Sequence, residues 1–156
     1  MKENRKQLIH DIESKIAELK SQEEVLQVSI KMIDSFSDGF HWTGYYMMQG
    51  DHLEVGPYVG PETPHTKIEL NSGICGAAAS SHQSIVVDDV NADPRFLACS
   101  ITTKSEIVVP LMDGDICLGE IDIDSNNPSF FTDDDKEMLE KIAEIVVEKL
   151  KEIRNY

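Results

Sequence analysis

Six side chains in this sequence are suited to covalent or acid–base work: the thiols Cys75, Cys99 and Cys117 and the carboxyls Glu106, Asp122 and Asp124. A thiolate is a strong nucleophile, and its availability is set by the thiol pKa. Carboxyls that crowd one another resist ionising together, so one can stay protonated and serve as a general acid. The cysteines are odd in number, widely spaced and without a C-x-x-C, which favours free thiols over a disulfide scaffold or a zinc ribbon. His10, His41, His52, His65 and His82 lack ligand spacing with the cysteines, so no metal is expected and these histidines read as surface or loop residues.

The elements that must position these groups are legible from hydrophobic period and turn chemistry. Leu8, Ile9, Ile12, Ile16 and Leu19 recur at helical spacing, and Ser21-Gln-Glu-Glu24 is a capping box opening a second helix through Val25, Val28, Met32 and Phe36. Asp38-Gly39 ends that helix, and His41 to Met48 turns at Gln49-Gly50-Asp51 into Leu53 to Tyr58 as a first hairpin. A Gly/Pro-rich loop, an extended piece from Thr66 to Leu70, a short helix over Ile74 to Ala79 and a strand from Ser84 to Val87 follow. The stretch from Asp88 to Leu97 reads as loop with one helical turn. Ser105 to Met112 and Ile116 to Ile123 flank Asp113-Gly114 as a second hairpin. Thr132 caps a last amphipathic helix carried by Met138, Leu139, Ile142, Ile145, Val146 and Leu150.

This order predicts an α+β fold: a central antiparallel sheet with the N- and C-terminal helices on one face and a ligand pocket on the other. A single domain over 1–156 is expected, with helices in 1–37, sheet and pocket loops in 38–131 and the final helix in 132–156.

Strand alternation then sorts the chemistry. Cys117, Gly119, Ile121 and Ile123 should share the helix-covered face of the last strand, leaving Leu118, Glu120, Asp122 and Asp124 on the other. Glu106 sorts to that second side of the neighbouring strand, so Glu106, Asp122 and Asp124 can converge on an acidic pocket suited to an ammonium group. Alternation alone leaves open a solvent-exposed strand end for Asp122 and Asp124. Cys117 reads as a small apolar residue facing the helices, Cys75 as a thiol activated near a helix start, and Cys99 as a loop thiol.

From Trp42 to Asp124 the chain resembles the free methionine-(R)-sulfoxide reductases, a branch of the GAF superfamily. The resemblance rests on Trp42-Thr-Gly-Tyr-Tyr46, Gly73-Ile-Cys-Gly76, Ala98-Cys99, Ser105-Glu-Ile-Val-Val-Pro110 and Ile121-Asp-Ile-Asp-Ser125. It implies a GAF-type sheet, reduction of free L-methionine-(R)-sulfoxide, and Cys99 as the nucleophile that becomes a sulfenic acid. It further implies a substrate pocket of Glu106, Asp122 and Asp124 walled by Trp42 and Tyr46, with Glu106 or Asp124 as the proton donor. Cys75 is then a dispensable secondary thiol. His65 stands where the family has its resolving cysteine, which leaves Cys75 or an external thiol to resolve the sulfenic acid; the favoured reading is a one-cysteine cycle closed by an external thiol such as thioredoxin, glutaredoxin or dithiothreitol, with no bound cofactor. Asp93-Pro-Arg-Phe96 resembles ligand-sensing GAF domains, so the alternative function is a non-catalytic small-molecule sensor.

A formal net charge of −15 disfavours nucleic acid and anionic lipid as partners, and suits a cationic or zwitterionic ligand. The sequence has neither a signal-like apolar run nor a membrane-length span, so a cytoplasmic location is expected. GAF domains that this chain resembles often pair through such amphipathic outer helices, so the resemblance implies a homodimer.

Overall fold

A computed structural model describes residues 1–96 and 102–154. Helix α1 (Glu3–Ile16) leads into α2 (Gln22–Asp34). Ser21 caps α2: its hydroxyl accepts from the Glu24 backbone N–H at 3.2 Å and donates to the Glu24 carboxylate at 3.0 Å. The buried stripe of α2 is Val25, Leu26, Ser29, Ile30 and Ile33, a rotation from the expected Val28, Met32 and Phe36, which are only half-buried. Several apolar residues crowd this helix, and packing against the sheet chose among them where period alone could not.

Strands β1 (Trp42–Gln49), β2 (His52–Val59) and β3 (Lys67–Glu69) precede α3 (Gly73–Ser81) and β4 (Ile85–Val87). A single 3-10 turn at Val90–Ala92 matches the expected helical turn. Strands β5 (Ser105–Asp113) and β6 (Ile116–Ser125) and helix α4 (Asp133–Arg154) complete the chain. The sheet has the order β3-β2-β1-β6-β5-β4, with every pairing antiparallel. It is the expected α+β arrangement.

The two faces divide the labour. On one, Tyr45, Met47, Ile107, Val109, Leu111, Ile121 and Ile123 pack against α1, α2 and α4 in one large apolar cluster. Each fully buried aliphatic side chain contributes roughly 1.5–3 kcal/mol, so this face can supply most of the stability and leave the other free for polar groups. Thr132 and Asp135 cap α4 reciprocally, and Asp135 also holds Arg5 of α1 at 2.8 Å in a largely buried ion pair. On the other face, Trp42, Tyr46 and Val108 meet Ile74, Cys75 and Ala78 of α3. No described helix is long and apolar enough to cross a membrane.

One sequence expectation about the faces is corrected. Leu111 pairs with Gly119 but the next residue, Met112, pairs with Cys117, so Leu118 is an extra residue in β6. Such a bulge breaks the alternation on its strand. Leu118 therefore packs with the helix-side cluster, and Cys117 lies on the α3 side, half-buried, its thiol 3.2 Å from the Gly119 carbonyl.

Candidate functional site

Register across the three central strands builds the site. On β6, Asp124 pairs with Glu106 and Trp42, Asp122 with Val108 and Gly44, and Glu120 with Pro110 and Tyr46. Beyond the bulge the alternation holds, so Glu120, Asp122 and Asp124 all face α3 beside Glu106. The three expected acids are brought together and buried, with Glu106 6%, Asp122 2% and Asp124 3% exposed. A solvent-exposed strand end is thereby excluded. Sequence reasoning sorted Glu120 to this face but left it out of the acid group. It is fully buried, and beyond the adjacent Cys75 thiol its carboxylate oxygens have no hydrogen-bond partner among the described residues.

No lysine, arginine or histidine among the described residues forms an ion pair with these acids. Burial, reinforced by the charges of Asp122 and Asp124, pushes the Glu106 carboxyl well above its ordinary range. Asp124 is pushed up by burial and then by Asp122, and Glu120 by burial above all. Asp122 is also raised by burial, but hydrogen bonds from Glu106 and Cys75 support its charge. All four carboxyls are thus biased toward holding protons, and Asp122 is the one whose charge neighbouring donors support, so the pocket is suited to pair with an ammonium group and to donate a proton.

This predicts a sloping pH–stability profile. The unfolded chain releases these protons above about pH 4 while the fold retains them, so stability should fall as pH rises from that value through the raised folded pKa values. The slope is up to about 1.4 kcal/mol per pH unit for each retained proton. Denaturant unfolding between pH 5 and 8 should show the decline, and Glu106→Gln should flatten it. A profile of equal slope in the two proteins would mean that Glu106 is ionised in the fold.

The aromatic wall stands beside the acids. Trp42 stacks on Tyr46 at 5.9 Å and on Tyr58 at 5.3 Å between ring centroids. Tyr46 donates to the His65 carbonyl at 2.8 Å, and the Trp42 indole N–H donates to the Pro61 carbonyl at 3.1 Å, so both rings are fixed. Tyr58 was not anticipated; its position across from Gly44 follows from the β1–β2 register, which includes an extra residue on β2. Gly44 leaves the gap the rings need, since a Cβ there would meet Trp42 at 2.5 Å and Tyr58 at 2.7 Å. Gly44→Ala should cost about 1–3 kcal/mol of stability through overpacking, measurable by denaturant unfolding; an unchanged midpoint would show that the rings can shift freely.

Cys75 lies at the third position of α3, buried against the acids. Helix α3 sits close to β3: a Cβ at Gly76 would come 2.6 Å from the Glu69 carbonyl. The expectation of a helix-activated thiol is overturned, because burial and then the charges of Asp122, Glu120 and Glu106 push the Cys75 thiol up. Cys99 lies outside the described residues. Tyr46, His65, Ile74, Cys75, Glu106 and Asp122 line a small cavity of about 10 Å³. A wider cleft of about 190 Å³ opens over Trp42, Thr103 and Asp124.

A helix-backed antiparallel sheet whose opposite face holds a pocket under a short helix defines a GAF domain. The model of that family, described as the GAF domain, matches residues 23–149, and the chain belongs to this family. Within it, the chain's similarity runs to proteins named free methionine-R-sulfoxide reductase. It is 40% identical over 116 residues to the one from Saccharomyces cerevisiae, covering 72% of this chain and 64% of that protein's length. The structure of a free methionine-R-sulfoxide reductase from Neisseria meningitidis in complex with its substrate superposes with a TM-score of 0.92 at 31% identity, over 97% of this chain and 90% of that one. GAF domain-containing protein A of Dictyostelium discoideum is 33% identical over 108 residues, covering 69% of this chain and 68% of that protein.

Proposed function

We propose that this protein reduces free L-methionine-(R)-sulfoxide to methionine, with Cys99 as the nucleophile. The observation that carries the reading is the buried cluster of Glu106, Asp122 and Asp124 beside the Trp42–Tyr46 wall, with no ion-paired cation among the described residues. An α-ammonium would supply the positive charge, and the rings would wall the sulfoxide-bearing side chain. The likeness to proteins named for this reaction supports the same reading.

In the reaction, the Cys99 thiolate attacks the sulfoxide sulfur while Glu106 or Asp124 protonates the departing oxygen. The sulfur–sulfur bond formed by the attack then breaks as the protonated oxygen passes to the Cys99 sulfur, which loses two electrons and becomes a sulfenic acid, while methionine leaves reduced. Two thiols of an external reductant (thioredoxin, glutaredoxin or dithiothreitol) then return Cys99 to the thiol, yielding water and their disulfide. The acid cluster opposes thiolate formation at a nearby sulfur, so attack follows the arrival of the substrate ammonium. The working form is a cytoplasmic homodimer joined through the outer helices.

The test is turnover with dithiothreitol of free methionine-(R)-sulfoxide, its (S) epimer and the N-acetylated (R) compound. Methionine should form from the first alone, because acetylation removes the ammonium. Equal turnover of the acetylated compound would remove the ammonium pairing from the mechanism, and no turnover with a retained small ligand would favour a sensor.

A further inference from the structure

The fold assembles a donor set that the spacing of the histidines did not suggest. Cys75 Sγ, a Glu106 carboxylate oxygen and an Asp122 carboxylate oxygen all lie within 4.8 Å of one another, and all three residues are buried. Glu120, at the next inward position of β6, is fully buried behind this set, with Cys75 and Asp122 acting on its carboxyl. One Asp122 oxygen is likewise buried without a hydrogen-bond partner. The cavity of about 10 Å³ beside Cys75, Glu106 and Asp122 suits one ion or one water and is far too small for an amino acid.

We propose that these residues form a binding site for a divalent cation of the zinc class, with Cys75, Glu106 and Asp122 as its protein ligands, and that the ion competes with substrate. One thiolate with oxygen donors selects zinc over magnesium or calcium, which take oxygen alone. Zinc holds such donors at about 2.0–2.3 Å, which spaces them about 3.3–3.8 Å apart on a tetrahedral shell. From their 4.8 Å limit the observed donors need to close by about 1.5 Å at most, a movement open to the Glu106 side chain. Binding expels the Cys75 thiol proton to solvent, and no electrons move. The bound ion neutralises the acids, excludes an ammonium group and ties up Cys75. Only the competition rests on the reductase reading; the metal site stands on the donor geometry.

The test is titration of the full chain, kept reduced by a phosphine, with cobalt(II) alone as the spectroscopic stand-in. One equivalent should saturate a near-ultraviolet thiolate-to-cobalt band, with at least one proton released per ion, and zinc should bleach it. Cys75→Ser should remove the band, while Cys99→Ser and Cys117→Ser keep it. Asp122→Asn, which retains every thiol, should weaken binding by about tenfold or more. Absence of saturable binding, a band that survives Cys75→Ser, or unchanged affinity in Asp122→Asn would overturn the three-ligand site. Free methionine-(R)-sulfoxide should raise the cobalt concentration needed for saturation; cobalt that stays bound during turnover would overturn the competition. A protein without reductase activity would still show the cobalt band, so the two readings fail separately.

Discussion

Cys99→Ser should lower the turnover of free methionine-(R)-sulfoxide by about 10⁴-fold or more, the scale on which removal of a covalent nucleophile acts. Methionine release under saturating dithiothreitol is the measurement. Cys117→Ser should leave the rate unchanged, since that thiol is half-buried beside the Gly119 carbonyl at the β6 bulge. Loss of activity in Cys75→Ser with retention in Cys99→Ser would move the nucleophile to α3. The raised Cys75 pKa argues against that outcome, because fewer molecules would hold the thiolate near neutral pH. Mass spectrometry of the wild-type protein treated with substrate and no reductant should find one added oxygen at Cys99.

Asp122→Asn should be the next most damaging change, through binding. Asp122 is the pocket acid whose charge is best supported, by Glu106 and by Cys75. Truncating one partner of a buried charge pair costs about 2–5 kcal/mol, or roughly 30-fold to several thousand-fold in kcat/KM. Most of the loss should appear in KM. Glu106→Gln keeps the shape of its side chain but removes the proton, so its loss should fall on kcat and alter the pH profile. If the two variants gave the same split between KM and kcat, the division of ammonium partner from proton donor would be wrong.

The sheet and its covering helices were legible because their signals are local. The Ser21 capping box, the Gln49-Gly50-Asp51 and Asp113-Gly114 turns and the Thr132 cap each fix an element end through a few neighbouring residues. Strand period likewise placed Glu106, Asp122 and Asp124 on one face, where the register brings them together. What escaped depends on pairing between distant segments. The Leu118 bulge is a property of the β5–β6 ladder, and it moved Cys117 across the sheet. Tyr58 meets Trp42 only through the β1–β2 register. The position of Cys75 near a helix start predicted a lowered pKa, but the strand acids packed on it reverse the sign. That reversal could not be read from α3 alone.

The extra residue at Leu118 also separates two kinds of mutational tolerance. It sits between the hairpin tip, where Met112 faces Cys117, and the ladder of Leu111, Pro110 and Val108 against Gly119, Glu120 and Asp122. An insertion or deletion at Asp113-Gly114-Asp115 can be absorbed by reshaping the tip and redistributing the slack at position 118. The inward phase of the acids is thereby insulated from changes in loop length, and the tip can vary while the pocket keeps its charges in place.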